Sequence, residues 1–275
     1  MKKTSIERGI YFLPNLMTTA ALFAGFYAVI AGMNGHYEAG AVAIFIAMIF
    51  DGLDGRIARM TNSTSAFGAE YDSLADMVSF GLAPALLLYS WGVHEFGKLG
   101  WLAAFVYTAG AALRLARFNV QASSLSKKYF QGLPSPAAAV LVAGWVWVIE
   151  HHALPWNVAA HLIGAGLLVA AGVLMVSNVR YFSGKEFNLK RKVPFVALLV
   201  VVLVLVVISL EPPLTLWGFF AVYAFSGPVI TLRQLQLRRR LRAQARERIR
   251  KKRAQAAQET TAAESPNRTT RENRT

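Results

Sequence analysis

The sequence contains no cysteine among its 275 residues. This absence excludes a disulfide framework, a thiolate metal site and a cysteine nucleophile. Charge is also scarce, because 16% of the residues are charged whereas 55% are hydrophobic, and the mean hydropathy is +0.40. A soluble domain of this size would not carry so much apolar surface. The composition therefore predicts a polytopic membrane protein.

Eight segments are apolar enough to cross a bilayer as helices, for which about 20 residues are needed. They are roughly residues 14–34, 38–60, 66–92, 99–121, 134–152, 157–179, 193–210 and 214–232. We therefore expect an all-α transmembrane helix bundle of about eight spans. The membrane domain should cover residues 1–232, and a basic cytoplasmic tail, helical and then disordered, should cover residues 233–275.

Basic residues collect in alternate connections between these segments. All lysines and arginines except Lys98 fall on one side of the predicted spans. An excess of positive charge in short loops marks the cytoplasmic side of a membrane protein. The pattern predicts an even number of spans with both termini in the cytoplasm. It also places residues 51–76 at the cytoplasmic face of what we expect to be the cell (inner) membrane.

Four carboxylates lie within residues 51–76, inside segments that are otherwise apolar: Asp51, Asp54, Asp72 and Asp76. Charged side chains at membrane depth are costly and usually functional. At about 100° per residue, Asp51 and Asp54 share one face of a helix. Asp72 and Asp76 lie one turn apart on the next helix. Two helices can therefore direct four carboxylates into one cavity.

Four converging carboxylates would repel one another unless cations neutralised them. An all-oxygen ligand set suits Mg²⁺ or Mn²⁺, and four carboxylates suffice for two such ions. A pair of divalent ions is a known device for displacement at phosphorus. Gly55 and Gly68 would let phosphates approach the backbone closely, and Arg59 can pair with a phosphate. The alternative from another class is a cation transporter with an aspartate-lined path.

Written as a pattern, the stretch reads Asp-x-x-Asp-Gly-x-x-Ala-Arg, eight residues, Gly-x-x-x-Asp-x-x-x-Asp, from Asp51 to Asp76. It resembles the signature of the CDP-alcohol phosphatidyltransferases, and every defined position is matched. Members of this family are integral membrane enzymes that transfer a phosphatidyl group from a CDP-linked lipid to an alcohol and release CMP.

The resemblance implies roles for particular residues. The four aspartates would hold two divalent cations, Mg²⁺ or Mn²⁺, and Asp76 would also be the catalytic base. A second set would bind the CDP-lipid, which is CDP-diacylglycerol: Asn15, Gly55, Arg59 and Ser65. Family members are commonly homodimers, and we expect a homodimer here.

Two further stretches, residues 114–119 (RLARFN) and 130–136 (FQGLPSP), resemble the membrane-type phosphatidylserine synthases within this family. They predict L-serine as the acceptor and phosphatidylserine as the product. The same chemistry on glycerol 3-phosphate or an inositol phosphate is the nearest alternative. Because the carboxylate of serine needs a cationic partner, the predicted acceptor-binding residues are Arg114, Arg117 and Asn119.

Residues 233–275 carry fourteen basic and four acidic residues, and so supply most of the net charge of +14. Basic segments next to a membrane span bind anionic leaflets at about 1 kcal/mol per charge. Nucleic acid is the other partner that an arginine cluster can indicate. Since membrane spans adjoin this segment, we expect anionic membrane lipids as its partner and no nucleic acid.

Overall fold

The structure is a computed structural model that describes residues 5–121, 129–155, 157–182, 195–233 and 236. Within these residues the chain forms nine α-helices and one pair of short strands. The helices are α1 Ser5–Met33, α2 Tyr37–Met60, α3 Ala66–Asp76, α4 Ala83–Trp91, α5 Lys98–Gln121, α6 Ser135–His151, α7 Val158–Val176, α8 Phe195–Leu210 and α9 Pro212–Arg233. The strands β1 Tyr129–Gln131 and β2 Arg180–Phe182 pair antiparallel.

Each of the eight predicted spans corresponds to a helix, and the predicted helical bundle is confirmed apart from the small β-ribbon. Five helices in the described part of the chain are long and apolar enough to cross a membrane: Leu13–Met33, Ala66–Trp91, Lys98–Val120, Val158–Val176 and Pro212–Arg233. Two shorter helices, Ser135–His151 and Leu199–Leu210, are also apolar. The number of spans and the side on which each terminus lies stay predictions.

The predicted span 66–92 is one helix with an irregular centre. Between α3 and α4, Met77–Leu82 form a π-helical turn, which is wider than an α-helical turn. A short 3₁₀ turn, Val93–Phe96, then leads into α5. The π-helical turn begins directly after Asp76, so it lies beside the predicted catalytic base.

The chain divides into two compact units, Met1–Pro228 and Val229–Thr275. In the second unit the structure describes residues 229–233 and 236. The remainder of the predicted basic tail lies outside the described residues. The predicted domain boundary at residue 232 therefore stays a prediction.

The first two helices pack closely because small residues line their contact. The chain reverses between them at Gly35, whose φ of 76° is a backbone conformation that glycine adopts without strain. Ala28, Ala41 and Ala47 are fully or almost fully buried in this contact region, where they join a cluster with Ile44. Small side chains let helix backbones approach one another, which is how helices associate in a bilayer.

A second core joins α4, α5, α6 and α7, and glycines set its closest approach. A Cβ added at Gly110 of α5 would lie 2.5 Å from the carbonyl oxygen of Gly172 on α7. A Cβ added at Gly172 would lie 2.8 Å from the carbonyl oxygen of Val106. Because backbone atoms cannot move aside cheaply, both positions require glycine for α5 and α7 to keep this distance.

We predict that Gly172→Ala lowers the thermal unfolding midpoint of the detergent-solubilised protein, because the new methyl group forces α5 and α7 apart. The expected loss is about 1–3 kcal/mol, the usual cost of overpacking. Gly166→Ala on the same helix is the control, since a Cβ there meets nothing within 4 Å. An unchanged midpoint for Gly172→Ala would show that the two helices do not need their close contact.

Parts of four helices, α1, α2, α3 and α5, lie near the aspartates. Asp51 and Asp54 lie in the C-terminal part of α2, and Asp72 and Asp76 lie at the end of α3. Helix α1 packs against α2, α3 and the π-helical turn, and α5 packs against that turn from another direction. These contacts bring residues 14–18 of α1 and the end of α5 to the aspartate-bearing helices.

Candidate active site

A tight turn of residues 61–65 reverses the chain between the two aspartate-bearing helices. Asn62 adopts a φ of 50°, a left-handed conformation in which asparagine is enriched. The N–H of Ser63 donates to the carbonyl of Ala58 at 3.0 Å and continues the end of α2. Ser65 then caps α3 by accepting a hydrogen bond from the N–H of Gly68 at 3.0 Å. As a result, the end of α2 and the start of α3 border the same pocket.

Three of the four predicted ligand residues meet in one cluster. Asp51, Asp72 and Asp76 each place a carboxylate oxygen within 4.8 Å of the other two. All three side chains are half-buried. Carboxylates this close repel one another in a poorly solvated site unless positive charge lies among them. The three oxygens therefore fit the ligand set of a hard divalent cation.

The fourth aspartate, Asp54, is more deeply placed, with 5% of its surface exposed. Its Oδ2 accepts a 2.8 Å hydrogen bond from the hydroxyl of Thr18 on α1. Asp54 and Asp72 together line the pocket beside the three-carboxylate cluster. Sequence reasoning missed Thr18. No local signal identified it, because its role depends on which face of α1 meets α2.

A pocket of about 270 Å³ opens next to the aspartates. All four residues predicted to bind the CDP-lipid line it: Asn15, Gly55, Arg59 and Ser65. The pocket walls come from residues 14–18 of α1, the end of α2, the connecting turn and α3. The structure therefore brings together every residue that the resemblance assigned to the nucleotide, and it places them against Asp54 and Asp72.

Glycine shapes two walls of this pocket. A Cβ added at Gly68 would lie 3.3 Å from the Oδ1 atom of Asn15 and 3.1 Å from the hydroxyl of Ser65. A Cβ added at Gly55 would lie 3.4 Å from Nη1 of Arg59. Larger residues at these positions would crowd the polar groups that line the pocket, so glycine keeps the space beside them open.

An apolar groove of about 720 Å³ runs along α1 and α2. Leu16 and Thr19 line it directly beside the pocket residues Asn15 and Thr18, and the groove extends along α1 to Tyr27. This stretch of α1 is about 17 Å long at the α-helical rise. The polar pocket and the apolar groove are therefore continuous in sequence and lie on the same pair of helices.

Arg114, one of the predicted acceptor residues, lies on α5. Its guanidinium interacts electrostatically with Asp76 and Asp51. Its Nη1 donates a 2.8 Å hydrogen bond to the hydroxyl of Ser135, which is fully buried at the start of α6. Its Nε is buried and has no hydrogen-bond partner among the described residues. Ser135 is a second residue that sequence reasoning missed, although residues 130–136 marked its segment.

The other two predicted acceptor residues connect α5 to different neighbours. Arg117 places Nη1 3.5 Å from the side-chain oxygen of Asn178, in the segment after α7. The amide of Asn119 pairs with the hydroxyl of Ser73, donating to it at 3.0 Å. Ser73 follows Asp72 directly, so Asn119 supports the aspartate-bearing helix. Within the part of the chain that the structure describes, Arg114 is therefore the predicted acceptor residue with a buried donor that has no partner.

Comparison with known proteins supports the family that the aspartate signature implied. A family model for CDP-alcohol phosphatidyltransferase matches residues 11–177. A CDP-diacylglycerol–serine O-phosphatidyltransferase of Helicobacter pylori (strain J99) is 37% identical over 217 residues, which are 78% of this chain and 90% of that protein. The protein of the same name in Methanocaldococcus jannaschii is 41% identical over 138 residues, or 50% of this chain and 61% of that protein.

A solved structure is also similar. The phosphatidylinositol phosphate synthase of Mycobacterium tuberculosis, with CDP-DAG bound, has 25% sequence identity and a TM-score of 0.47. The match covers 62% of this chain and 87% of that one.

The family model covers more than half of the chain, and the relative from Helicobacter pylori is matched over most of its length. These matches favour a CDP-alcohol phosphatidyltransferase over the alternative of a cation transporter. With five membrane-length apolar helices in the described part of the chain, the protein is an integral membrane enzyme that belongs to the CDP-alcohol phosphatidyltransferase family.

Proposed function

We propose that this enzyme transfers the phosphatidyl group of CDP-diacylglycerol to the hydroxyl of L-serine, giving phosphatidylserine and CMP. The observation that carries the proposal is the three-carboxylate cluster beside a pocket lined by all four predicted CDP-binding residues. The names of the relatives from Helicobacter pylori and Methanocaldococcus jannaschii support serine as the acceptor.

The donor set fits divalent cations, since carboxylate oxygens are the ligands that Mg²⁺ and Mn²⁺ prefer. The cluster of Asp51, Asp72 and Asp76 is compact enough for each residue to offer one ligand atom to a shared ion. Asp54, next to Asp72 in the pocket, is placed to serve a second ion. Bound there, two such ions would polarise the phosphoryl oxygens and neutralise the charge of the departing CMP.

The remaining chemistry belongs to side chains of this chain. Asp76 takes the proton from the serine hydroxyl, whose oxygen bonds to the phosphorus that carries the diacylglycerol. The bond from that phosphorus to the oxygen of CMP breaks, and CMP leaves with the bonding electron pair. Arg59 and Asn15, which both line the pocket, hold the phosphate and the nucleotide in place. Holding the donor in this way lowers the entropic cost of its encounter with the acceptor.

The two apolar tails of the donor need their own surface. The groove along α1 and α2 is lined almost entirely by apolar side chains and begins beside the nucleotide pocket. An acyl chain in this groove would leave its headgroup at Asn15 and Thr18. The groove therefore supports a lipid-linked donor rather than a free nucleotide.

Arg114 is the residue that we assign to the carboxylate of serine. Among the described residues the buried Nε–H of Arg114 has no hydrogen-bond partner, so it can donate to a carboxylate in a bidentate arrangement together with a terminal N–H of the same guanidinium. Its charge acts electrostatically on Asp76, so we place a carboxylate bound to Arg114 on the same side of the site as the proposed base. Arg117 and Asn119 would complete the acceptor side from the end of the same helix.

The proposal also covers the oligomeric state of the enzyme and the membrane in which it lies. The enzyme acts as a homodimer in the cell (inner) membrane, with the aspartates at the cytoplasmic face, where its soluble substrate is available. The net charge of residues 233–275 supports binding of the tail to anionic lipids. This attraction should weaken with salt, since the charges of the tail and the lipids lie in water.

We predict that Asp51→Asn, Asp72→Asn and Asp76→Asn each lower turnover by roughly three orders of magnitude or more, because groups that act as a unit fail together. The same variants should lose Mn²⁺ binding, measured by electron paramagnetic resonance without substrate. Glu70→Gln removes an exposed carboxylate from α3, the helix that carries Asp72 and Asp76, and is the matched control. Near-normal turnover of Asp76→Asn with metal bound would show that another group is the base.

The acceptor assignment predicts the outcome of a substrate screen. Purified enzyme with CDP-diacylglycerol and Mg²⁺ or Mn²⁺ should release CMP with L-serine, and little with glycerol 3-phosphate or inositol phosphate. Preferential use of a phosphorylated alcohol would contradict the serine assignment while leaving the family assignment intact.

Variants of Arg114 and Arg117 test the assignment of the acceptor site directly. Arg114→Lys keeps the positive charge but removes the Nε donor, so KM for serine should rise about 10-fold or more with little change in KM for CDP-diacylglycerol. Arg117→Lys is the matched change at the more exposed position and should have the smaller effect. An equal rise in both KM values for Arg114→Lys would place this residue outside the acceptor site.

The groove predicts a chain-length effect. Ala20→Trp should fill the groove and raise KM for long-chain CDP-diacylglycerol several-fold, leaving KM for serine unchanged. Ala170→Trp, on an exposed face of α7, is the control for adding a large aromatic group to a helix surface. If a short-chain donor that does not reach the groove lost as much affinity, the substitution would be acting elsewhere.

A further inference from the structure

The π-helical turn at Met77–Leu82 has a cause in the sequence. Pro84 has no N–H, so the carbonyl of Phe80, four residues earlier, has no α-helical donor. In a regular α-helix the proline ring would also collide with that carbonyl. In the wider turn the N–H of Ala83 instead donates to the carbonyl of Val78, five residues back. The proline thus widens the helix directly after the last aspartate.

Two hydroxyl groups of α5 bind the carbonyls that the wide turn exposes. The hydroxyl of Tyr107 donates to the carbonyl of Phe80 at 2.8 Å. The hydroxyl of Thr108 donates to the carbonyl of Gly81 at 3.2 Å. Tyr107 is completely buried, so no water can replace its hydroxyl cheaply. Tyr107 therefore supplies the hydrogen bond that Pro84 cannot.

Helix α1 holds the other side of the same turn. The hydroxyl of Ser79, which is fully buried, donates to the carbonyl of Ala21 at 3.0 Å. Gly25 lies against Ser79 so closely that a Cβ at this glycine would collide with it. The turn is thus fixed between α1 and α5.

The turn decides which way the aspartates point. Before it, Asp72 and Asp76 face Asp51. After it, Ala83 and Leu87 are fully buried in a cluster with Ala28 of α1. One residue more or less in the turn would rotate the two halves by about 100° relative to each other. With the π-helical turn, a single helix can place its first half in the aspartate cluster and its second half in the apolar core.

We propose that Tyr107 is a positioning residue for the metal site: its hydrogen bond to the carbonyl of Phe80 holds the π-helical turn that orients Asp72 and Asp76 towards Asp51. Tyr107 acts through the backbone and does not touch substrate. The inference rests on the proposed function in one respect, namely that the aspartates hold a divalent cation.

The test compares two tyrosines that bind the same helix. Tyr107→Phe removes the hydroxyl at the π-helical turn. Tyr37→Phe is the matched control, since its hydroxyl donates at 3.0 Å to the carbonyl of Ser90, near the far end of that helix. Mn²⁺ binding to the purified full-length protein is measured by electron paramagnetic resonance without substrate, and thermal unfolding is recorded in parallel.

We expect Tyr107→Phe to weaken Mn²⁺ binding by about 10-fold, as changes in the groups that orient metal ligands do. Tyr37→Phe should bind Mn²⁺ as the unaltered protein does, although both variants lose a tyrosine-to-carbonyl hydrogen bond and some thermal stability. Equal Mn²⁺ affinity in Tyr107→Phe and the unaltered protein would overturn the positioning role. Equal weakening in both variants would overturn it as well, because the effect would then be general destabilisation.

Two further outcomes keep the test decisive. If Tyr107→Phe does not yield folded protein, Thr108→Val probes the same contact of α5 with the turn, and unchanged Mn²⁺ binding by that variant would overturn the proposal. Absence of Mn²⁺ binding by the unaltered protein would overturn the metal site itself. That result differs from a failure of the positioning role, in which the unaltered protein binds Mn²⁺ and the variant binds it equally well.

Discussion

Three carboxylates repel one another in a largely apolar surrounding, and the helix packing around them must withstand this repulsion. Asp51, Asp72 and Asp76 hold oxygens within 4.8 Å of one another, an arrangement that favours separation of the helices carrying them. The fold must therefore supply rigidity from contacts that carry no charge. Tight helix packing does this, since the glycine contact of α5 with α7 and the alanine-lined contact of α1 with α2 leave little freedom to separate.

Polar partners then hold individual aspartates without neutralising the site. Thr18 donates to Asp54, and the charge of Arg114 acts on Asp76 from a distance. A direct ion pair with arginine would satisfy an aspartate and remove it from the metal site. Hydroxyl donors and a guanidinium bound to Ser135 avoid this outcome. The site thus keeps the negative charge that attracts a divalent cation and limits the motion of the groups that carry it.

Much of this site could be predicted from the sequence because the signature is local. The spacing of Asp51 and Asp54, and of Asp72 and Asp76, fixes their helix faces, and the turn at residues 61–65 joins the two helices. Thr18, Ser135 and Tyr107 could not be found in this way, since their roles depend on how α1, α5 and α6 rotate about their axes. Hydrophobic periodicity is weak in helices that are apolar on every face, so it does not fix that rotation. The irregular turn before Pro84 was not predicted either, and its partner Tyr107 on α5 is a long-range contact.

The division between local and long-range contacts also separates the two substrates. Residues proposed to hold the CDP-lipid come from α1 and the helix pair around residues 51–76, which one motif determines. Residues proposed to hold the acceptor come from the end of α5, with supports on α6 and after α7. A change in those supports would reorient Arg114 without moving the aspartates. If Arg114 holds the acceptor as proposed, the acceptor can change while the phosphoryl chemistry stays the same, and the aspartate signature then identifies the family without identifying the alcohol.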